Sequence, residues 1–362
     1  MRMKRPERMK AWVLVEPERL ELLEVDVPVP RADQVLVKID RACICNGSDP
    51  GIYHGHEAYP TPLIFGHEAS GRIVEAGEAV RGFAAGDRVC WWFEAGAFAE
   101  YQTVTPGNVA MFCVPEEITR DQAPVMELVL ASCRALMDRP PKEGRRRLTV
   151  CGLGPSGLVL IQYARALGYE RVTGWDLYES RRKLALSLGA DAVCDPRELT
   201  EKSVAEMEEA DVGVLMMGDD VLDGEPTATL LMRAVRPGGE IISYGHPEKG
   251  CRFSPYVFQS RNLRMAGPVN DMETIRKKGA EAVRMAADGR ILIEPLITHR
   301  IGFLRLKEAF LHLLERPEDQ IKVILRWEEG AQAPGTEGKI ERNGGKNGTG
   351  NFGTGAGGND VL

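Results

Sequence analysis

A strand, a glycine-rich turn and a helix follow one another between residues 147 and 167, and they limit what this chain can fold into more than any other stretch. The segment RLTVCGLGPSG places Gly152, Gly154 and Gly157 in the spacing G-x-G-x-x-G, with Pro155 and Ser156 inside the turn. Glycines at these positions let a backbone turn tightly and let a pyrophosphate approach the amide groups at a helix N-terminus. A glycine triplet alone is common. Here a second strand, RVTGWD, follows the helix and ends in Asp176, 24 residues after Gly152. The order strand, turn, helix, strand, acid is what makes the signal specific for a dinucleotide site. Asp176 is placed to accept hydrogen bonds from ribose hydroxyls and to repel a 2′-phosphate. Leu177 and Tyr178 follow it, so NAD is expected rather than NADP, with Arg181 flanking the adenine. Residues 211–217, 239–244 and 263–266 read as further strands ended by Gly218, Gly245 and Gly267, with a helix over 228–235. The pattern predicts a doubly wound α/β sheet.

The first half of the chain carries a different chemistry. Residues 10–15, 20–25 and 34–39 have the apolar, β-branched character of short strands, and the third leads to Cys43 and Cys45. Downstream, PLIFGHEASGRIVEAGEAVRGFAAGDRV sets His67 beside Glu68 among glycines that suit short strands and turns. Glu127 sits on the apolar face of DQAPVMELVLASCRALMDRP, a helical pattern stopped by Pro140 and Pro141. Each feature has an ordinary explanation: a small buried cysteine, a solvated His-Glu pair, a salt-bridged helix carboxylate. Together they describe a metal site. Cys45, His67 and one of Glu68 or Glu127 give the three protein ligands of a catalytic zinc, with Cys43 as a competitor for the thiolate. Thiolate, imidazole and carboxylate favour Zn²⁺ over Mg²⁺ or Ca²⁺. Ser48 could pass a proton outward from such a site and His54 could end the relay, whereas the plain reading of Ser48-Asp49 is a turn or helix cap.

Composition excludes several classes. With 43% hydrophobic and 27% charged residues the chain reads as globular, and a net charge of −7 without a basic stripe argues against nucleic acid. No apolar run approaches the roughly 18 residues of a membrane span. Eight scattered cysteines suit reduced thiols, and MRMKRPER lacks the apolar core of an export signal, so a cytoplasmic protein is expected. From Gly330 onward 11 of 33 residues are glycine, which predicts disorder for the tail, taken as 329–362.

The blocks VKIDRACICNGSD, GHEASGRIVEAGEAVRGFAAGDRV and GAFAEY resemble the zinc-dependent medium-chain dehydrogenase/reductase family, which includes alcohol, sorbitol and threonine dehydrogenases. The resemblance runs from about Met9 to Trp327. It implies a chaperonin-10-like β-barrel catalytic domain from residues 1–128 and 272–328, and a Rossmann domain from 129–271, with the active site in the cleft between them. It further implies that Trp92 and Phe93 wall the substrate pocket, that the loops at Gly218, Gly245 and Gly267 surround the nicotinamide, and that the protein is a homodimer or homotetramer. Glu127 matches a glutamate of the polyol and threonine branch, with Leu128 where a proline is usual. Two departures stand out. Asn46 and Gly47 separate Cys45 from Ser48, one residue more than usual, and residues 90–95 leave no room for the four-cysteine lobe of a structural zinc. One catalytic ion is therefore expected. The implied activity is zinc-assisted, NAD-dependent oxidation of a secondary alcohol or polyol to a ketone. The alternatives are a zinc-free NADPH-dependent quinone or enone reductase of the same fold, and a non-catalytic nucleotide-binding subunit.

Overall fold

Apolar residues facing inward on alternate positions build the first half of the chain into antiparallel strands. In a computed structural model, which describes residues 5–56, 59–142, 147–220, 222, 224–247 and 249–327, β1 (Arg8–Glu16) and β2 (Arg19–Asp26) form a hairpin. Then come β3 (Val35–Cys43), helix α1 (Ser48–His54), β4 (Leu63–Ile64), β5 (Glu68–Ala76), β6 (Arg88–Trp92), β7 (Tyr101–Val104) and β8 (Ala110–Cys113). The expected tail lies outside the described residues.

Helix α2 (Met126–Cys133) carries the chain into a region of alternating strand and helix. The elements are β9 (Arg147–Cys151), α3 (Pro155–Leu167), β10 (Arg171–Trp175), α4 (Glu179–Ser187), β11 (Ala192–Cys194), α5 (Glu201–Ala205), β12 (Ala210–Leu215), α6 (Thr227–Ala234), β13 (Val235–Ser243), α7 (Pro255–Ser260), β14 (Arg264–Ala266) and α8 (Met272–Ala287). The chain then returns through β15 (Ile297–Gly302), α9 (Leu306–Glu315) and β16 (Lys322–Arg326).

The six strands of the second region pair in parallel in the order β11-β10-β9-β12-β13-β14. Numbered within the sheet this is 3-2-1-4-5-6, the Rossmann order, and the crevice lies past the C-terminal ends of the strands. The returning strands add to the first region, giving β15-β16-β3-β5-β6-β8 with β7 also on β3. Lys322, almost at the end of the described chain, is thereby brought next to the strand that delivers the cysteines.

One apolar cluster joins the two regions. It runs from Cys43 and Cys90 through Met126, Val129 and Leu130 of α2 to Leu158 and Ile161 of α3 and Ile275 and Val283 of α8. The expected boundary at residue 272 coincides with the start of α8, which packs in this shared layer; the chain rejoins the barrel strands at Ile297.

The helix expected across residues 121–140 is shorter than its pattern. A 3₁₀ turn at Ala123–Val125 precedes α2, and after Cys133 the amides of Arg134, Ala135 and Leu136 bond three residues back rather than four. Pro124 supplies no amide to an α-helical ladder, and Ser132 Oγ donates to Leu128 O at 2.7 Å, competing for the carbonyls of the last turn.

Arg41, Arg300 and Arg326 project from the neighbouring strands β3, β15 and β16, and Arg41 and Arg326 lie directly opposite each other. Like charges so placed repel. Asp121 resolves this by accepting from Arg41 at 3.0 Å, from Arg300 at 3.1 Å and from Arg326. Burial alone would raise its carboxyl, but the arginine hydrogen bonds outweigh that and hold it at about 2. A depressed carboxylate contributes stability that is full above the unfolded value, about 3.9, and is lost as pH falls through about 2. Asp121→Asn is expected to lower the unfolding free energy by roughly 2 kcal/mol at pH 7 in a denaturant titration. The gap between the two proteins should close towards pH 2; a gap of equal size at both pH values would contradict this account.

Candidate functional site

Beyond β3 the chain turns through Cys45 into α1, and the first turn of that helix aims Asp49 inward. Asp49 is wholly buried, and its Oδ2 accepts from the Cys45 amide at 2.9 Å. Its Oδ1 lies 3.3 Å from His67 Nδ1, near but out of line for a hydrogen bond. One carboxylate thus fixes the backbone of one candidate ligand and faces the ring of the other. On the far side of the ring, Ser48 Oγ is 3.4 Å from His67 Nε2 and 3.3 Å from Cys45 Sγ. Burial alone would lower the His67 pKa, but the Cys45 sulfur and Asp49 carboxylate outweigh it and the net direction is up.

Donor atoms of Cys45, His67 and Glu68 all lie within 4.8 Å of one another. Ligands sharing a tetrahedral zinc with bonds of about 2.0–2.3 Å stand about 3.3–3.8 Å apart, so binding requires a contraction of at most about 1.5 Å. Glu68 is already engaged. Lys322 Nζ donates to its Oε1 at 2.8 Å, stands 2.6 Å from its Oε2 and also donates to Ile44 O at 2.7 Å, with both side chains wholly buried. Glu127, from the first turn of α2, is 3% exposed, and among the described residues it has neither a hydrogen bond nor an ion pair. Burial pushes its carboxyl up to about 8, with His67 and Lys322 pulling it back. A carboxylate in that position lacks a cation, and the donor set beside it fits zinc.

The glycine turn has a division of labour that fits a nicotinamide dinucleotide. Gly152 has φ +99°, which side chains resist, and at Gly157 a Cβ would stand 2.0 Å from Gly152 O, so helix and turn pack too closely for any other residue. Nothing lies within 4 Å of a Cβ built on Gly154, which leaves its backbone open to a ligand. Pro155 and Ser156 begin α3, whose amides carry no side-chain cap. Asp176, past β10, accepts from the amides of Leu153 at 2.7 Å and Tyr178 at 2.8 Å. Arg181 lies over the Tyr178 ring at 4.6 Å, with Nη1 4.0 Å from Asp176 Oδ2, and donates to Pro317 O at 2.7 Å. Gly218 and Gly245 line a solvent-open recess beyond β12 and β13; Gly267 follows β14 and does not line it.

Residues 31–115 match the alcohol dehydrogenase GroES-like domain and residues 155–285 the zinc-binding dehydrogenase domain. An L-threonine 3-dehydrogenase of Pyrococcus furiosus is 31% identical over 342 residues, covering 84% of this chain and 95% of that protein. The chain belongs to the zinc-dependent medium-chain dehydrogenase/reductase family. Solved structures carry the same fold. A zinc-binding dehydrogenase of Sinorhizobium meliloti 1021 bound to NADP has a TM-score of 0.75 at 24% identity, covering 89% of this chain and 100% of that one. A 2R,3R-butanediol dehydrogenase of Bacillus subtilis has a TM-score of 0.75 at 22% identity, covering 88% and 100%. The mainly antiparallel region therefore contains the GroES-like domain of a dehydrogenase of this family.

In this member of the family Phe93 lies against His67, ring centroids 4.6 Å apart, and Trp92 lies under the Arg134 guanidinium at 4.2 Å. His54 stands at the other end of α1 from Ser48, about 9 Å along the axis, with Nδ1 2.8 Å from Glu18 Oε1. Cys43 and Cys133 are buried in the apolar cluster and are not part of the donor set. All eight cysteines are free thiols. Sequence reasoning missed the inward role of Asp49, which reads as a helix-cap residue, and missed Lys322, whose signal was a lone lysine in the apolar run Ile321 to Leu325. Asp49→Asn keeps the shape and removes the charge facing His67. It is expected to weaken zinc binding about 10- to 100-fold in competition with a chromophoric chelator; unchanged affinity would assign Asp49 to helix α1 alone.

Proposed function

We propose that this chain is a zinc-dependent dehydrogenase that moves a hydride between a secondary alcohol or polyol and NAD, giving a ketone. The observation that carries it is the convergence of Cys45, His67 and Glu68 beside a buried Glu127 that has no hydrogen-bond or ion-pair partner among the described residues. Cys45 and His67 would hold the ion, with a glutamate completing the set: Glu127 is the uncommitted one, and Glu68 is held by Lys322 within reach for exchange. When bound, zinc supplies a Lewis acid that lowers the pKa of an alcohol hydroxyl. Ser48 Oγ, between the two donors, would accept the hydroxyl proton as it gives up its own towards solvent, with His54 at the far end of α1 as the outer end of that relay. Phe93 covers the His67 side and keeps water from the reacting carbon.

Gly152, Gly154, Pro155, Ser156 and Gly157 seat the pyrophosphate at the start of α3, and Asp176 receives the ribose. Its carboxylate disfavours a 2′-phosphate, which supports NAD, with Arg181 beside the adenine; Gly218, Gly245 and Gly267 border the nicotinamide side. Residues 1–128 and 272–328 form the catalytic unit in this reading and 129–271 the coenzyme unit. A cytoplasmic homodimer or homotetramer with one zinc per chain accompanies it. Among the described residues no helix is long and apolar enough to cross a membrane.

The test is NADH formation from a panel of secondary alcohols and polyols. At least one should be oxidised, with kcat/KM for NAD about tenfold or more above that for NADP. Chelation should abolish the rate and zinc should restore it, and Glu127→Ala should reduce kcat by about 100-fold or more. A rate indifferent to chelation would reject the reading.

A further inference from the structure

The end of α1 away from the candidate zinc donors carries two more imidazoles, set close together by the way the helix stops. Gly55 turns left-handed at φ +74°, its amide donates to Ile52 O at 3.1 Å, and the amide of His56 donates to Gly51 O at 2.9 Å. This is the Schellman closure of a helix on a glycine. His54 and His56 stand on either side of that glycine, with ring centroids 5.6 Å apart and planes inclined by 31°. Two imidazoles bound to one tetrahedral zinc at about 2.0–2.1 Å hold their centroids about 5 Å apart, so the observed spacing is within about half an ångström of a shared ion.

The His54 ring is already set as a ligand's would be. Its Nδ1 lies 2.8 Å from Glu18 Oε1. A carboxylate only accepts, so Nδ1 carries the proton and Nε2 the lone pair. Metal-binding histidines almost always donate their second nitrogen in this way, which fixes the tautomer and raises the basicity of the ligating one. Glu18 is itself pinned against α1. Its amide donates to Tyr53 O at 2.8 Å, its carbonyl accepts from the Tyr53 hydroxyl at 2.7 Å, and its φ of +63° is one that residues other than glycine rarely adopt. Tyr53 also meets the His54 ring edge-on, 5.3 Å between centroids. The turn between β1 and β2 therefore delivers a fixed carboxylate to the Nδ1 side of His54. His54 is about one-third exposed and His56 is exposed, so an ion reaches the pair from solvent without opening the fold.

We propose that His54 and His56 form a second, solvent-facing site for a divalent transition ion of the zinc class, held by the two imidazoles, completed by water and oriented by Glu18. Imidazole suits Zn²⁺, Cu²⁺ and Ni²⁺, whereas Mg²⁺ and Ca²⁺ prefer oxygen. An ion on Nε2 occupies the lone pair through which His54 would hand a proton to solvent, so the site inhibits the dehydrogenation. That inhibitory half rests on the dehydrogenase reading above; the binding half does not. With two protein donors rather than three, the site binds more weakly than the catalytic one and fills after it.

The experiment titrates zinc into the full chain already holding one equivalent, against a chromophoric chelator, and follows NADH formation in parallel. The native protein should take up a second equivalent, and its rate should fall about fivefold or more as that equivalent binds, with Mg²⁺ leaving the rate unchanged. His56→Ala keeps the backbone amide that closes the helix and touches no part of the relay. It should retain the native rate without added zinc, lose the second equivalent and need about tenfold or more zinc for the same inhibition. Glu18→Gln should weaken the second equivalent about tenfold or more. No second equivalent in the native protein, or one that His56→Ala retains, would overturn the site. A second equivalent that leaves the rate unchanged would overturn the inhibitory role. If no alcohol is oxidised, the dehydrogenase reading falls and the inhibitory half with it, while the chelator titration still decides the site.

Discussion

Taking several ionisable groups out of water at one place is the constraint around which this fold is arranged. Asp49, His67, Glu68, Glu127 and Lys322 are each buried to 3% exposure or less. Such groups persist in an interior only when paired, hydrogen-bonded or bound to a cation. Lys322 neutralises Glu68 and Asp49 faces His67, which leaves Glu127, its carboxyl pushed up by burial, without a paired cation among the described residues. The surrounding scaffold, with β3, β5 and β16 side by side and α2 packed on β5 and β6, brings contributions from four separate stretches to one point. Removing one partner of the Glu68–Lys322 pair would strand a charge there, at a cost of about 3–5 kcal/mol, so the cluster is as much a structural commitment as a chemical one.

Helix α2 has a second part in this arrangement. Its apolar face belongs to the cluster that continues into α3 and α8, so the element that carries Glu127 and Arg134 also packs against the helix that opens from the coenzyme turn. Tyr244, just past β13, packs against the same cluster. The metal donors and the glycine turn are therefore fixed relative to each other by dense packing rather than by a loop, which is the condition for hydride transfer between partners held about 3–3.5 Å apart.

Much of the fold was legible because its signals are local. The run from Arg147 to Asp176 states its own strand, turn and helix, and Gly152, Gly154 and Gly157 occupy geometries that only glycine or open space would satisfy. The GHE block was legible as chemistry for the same reason, with an imidazole and a carboxylate adjacent in the chain. What could not be read was long-range. Lys322 lies 254 residues from Glu68, and its meeting with that residue depends on the strand order β16-β3-β5, which no periodicity encodes. Asp49 looked like a capping residue because it is at a helix start, and only the placement of His67 gives it a second task. The helix across 121–140 was overextended because apolar spacing continues through the tighter turns on either side of α2. Trp92 and Phe93 were read together as pocket walls, yet they diverge: one ring meets His67, the other supports Arg134.

The account turns on a single ion shared by a sulfur, an imidazole and a carboxylate drawn from separate parts of the chain. Anomalous diffraction collected at the zinc edge from crystals of the protein as purified addresses this directly. The account predicts one strong peak per chain, within about 2.4 Å of both Cys45 Sγ and His67 Nε2 and with a Glu68 or Glu127 oxygen completing the set. No peak at that position, or zinc held only elsewhere on the chain, would contradict it.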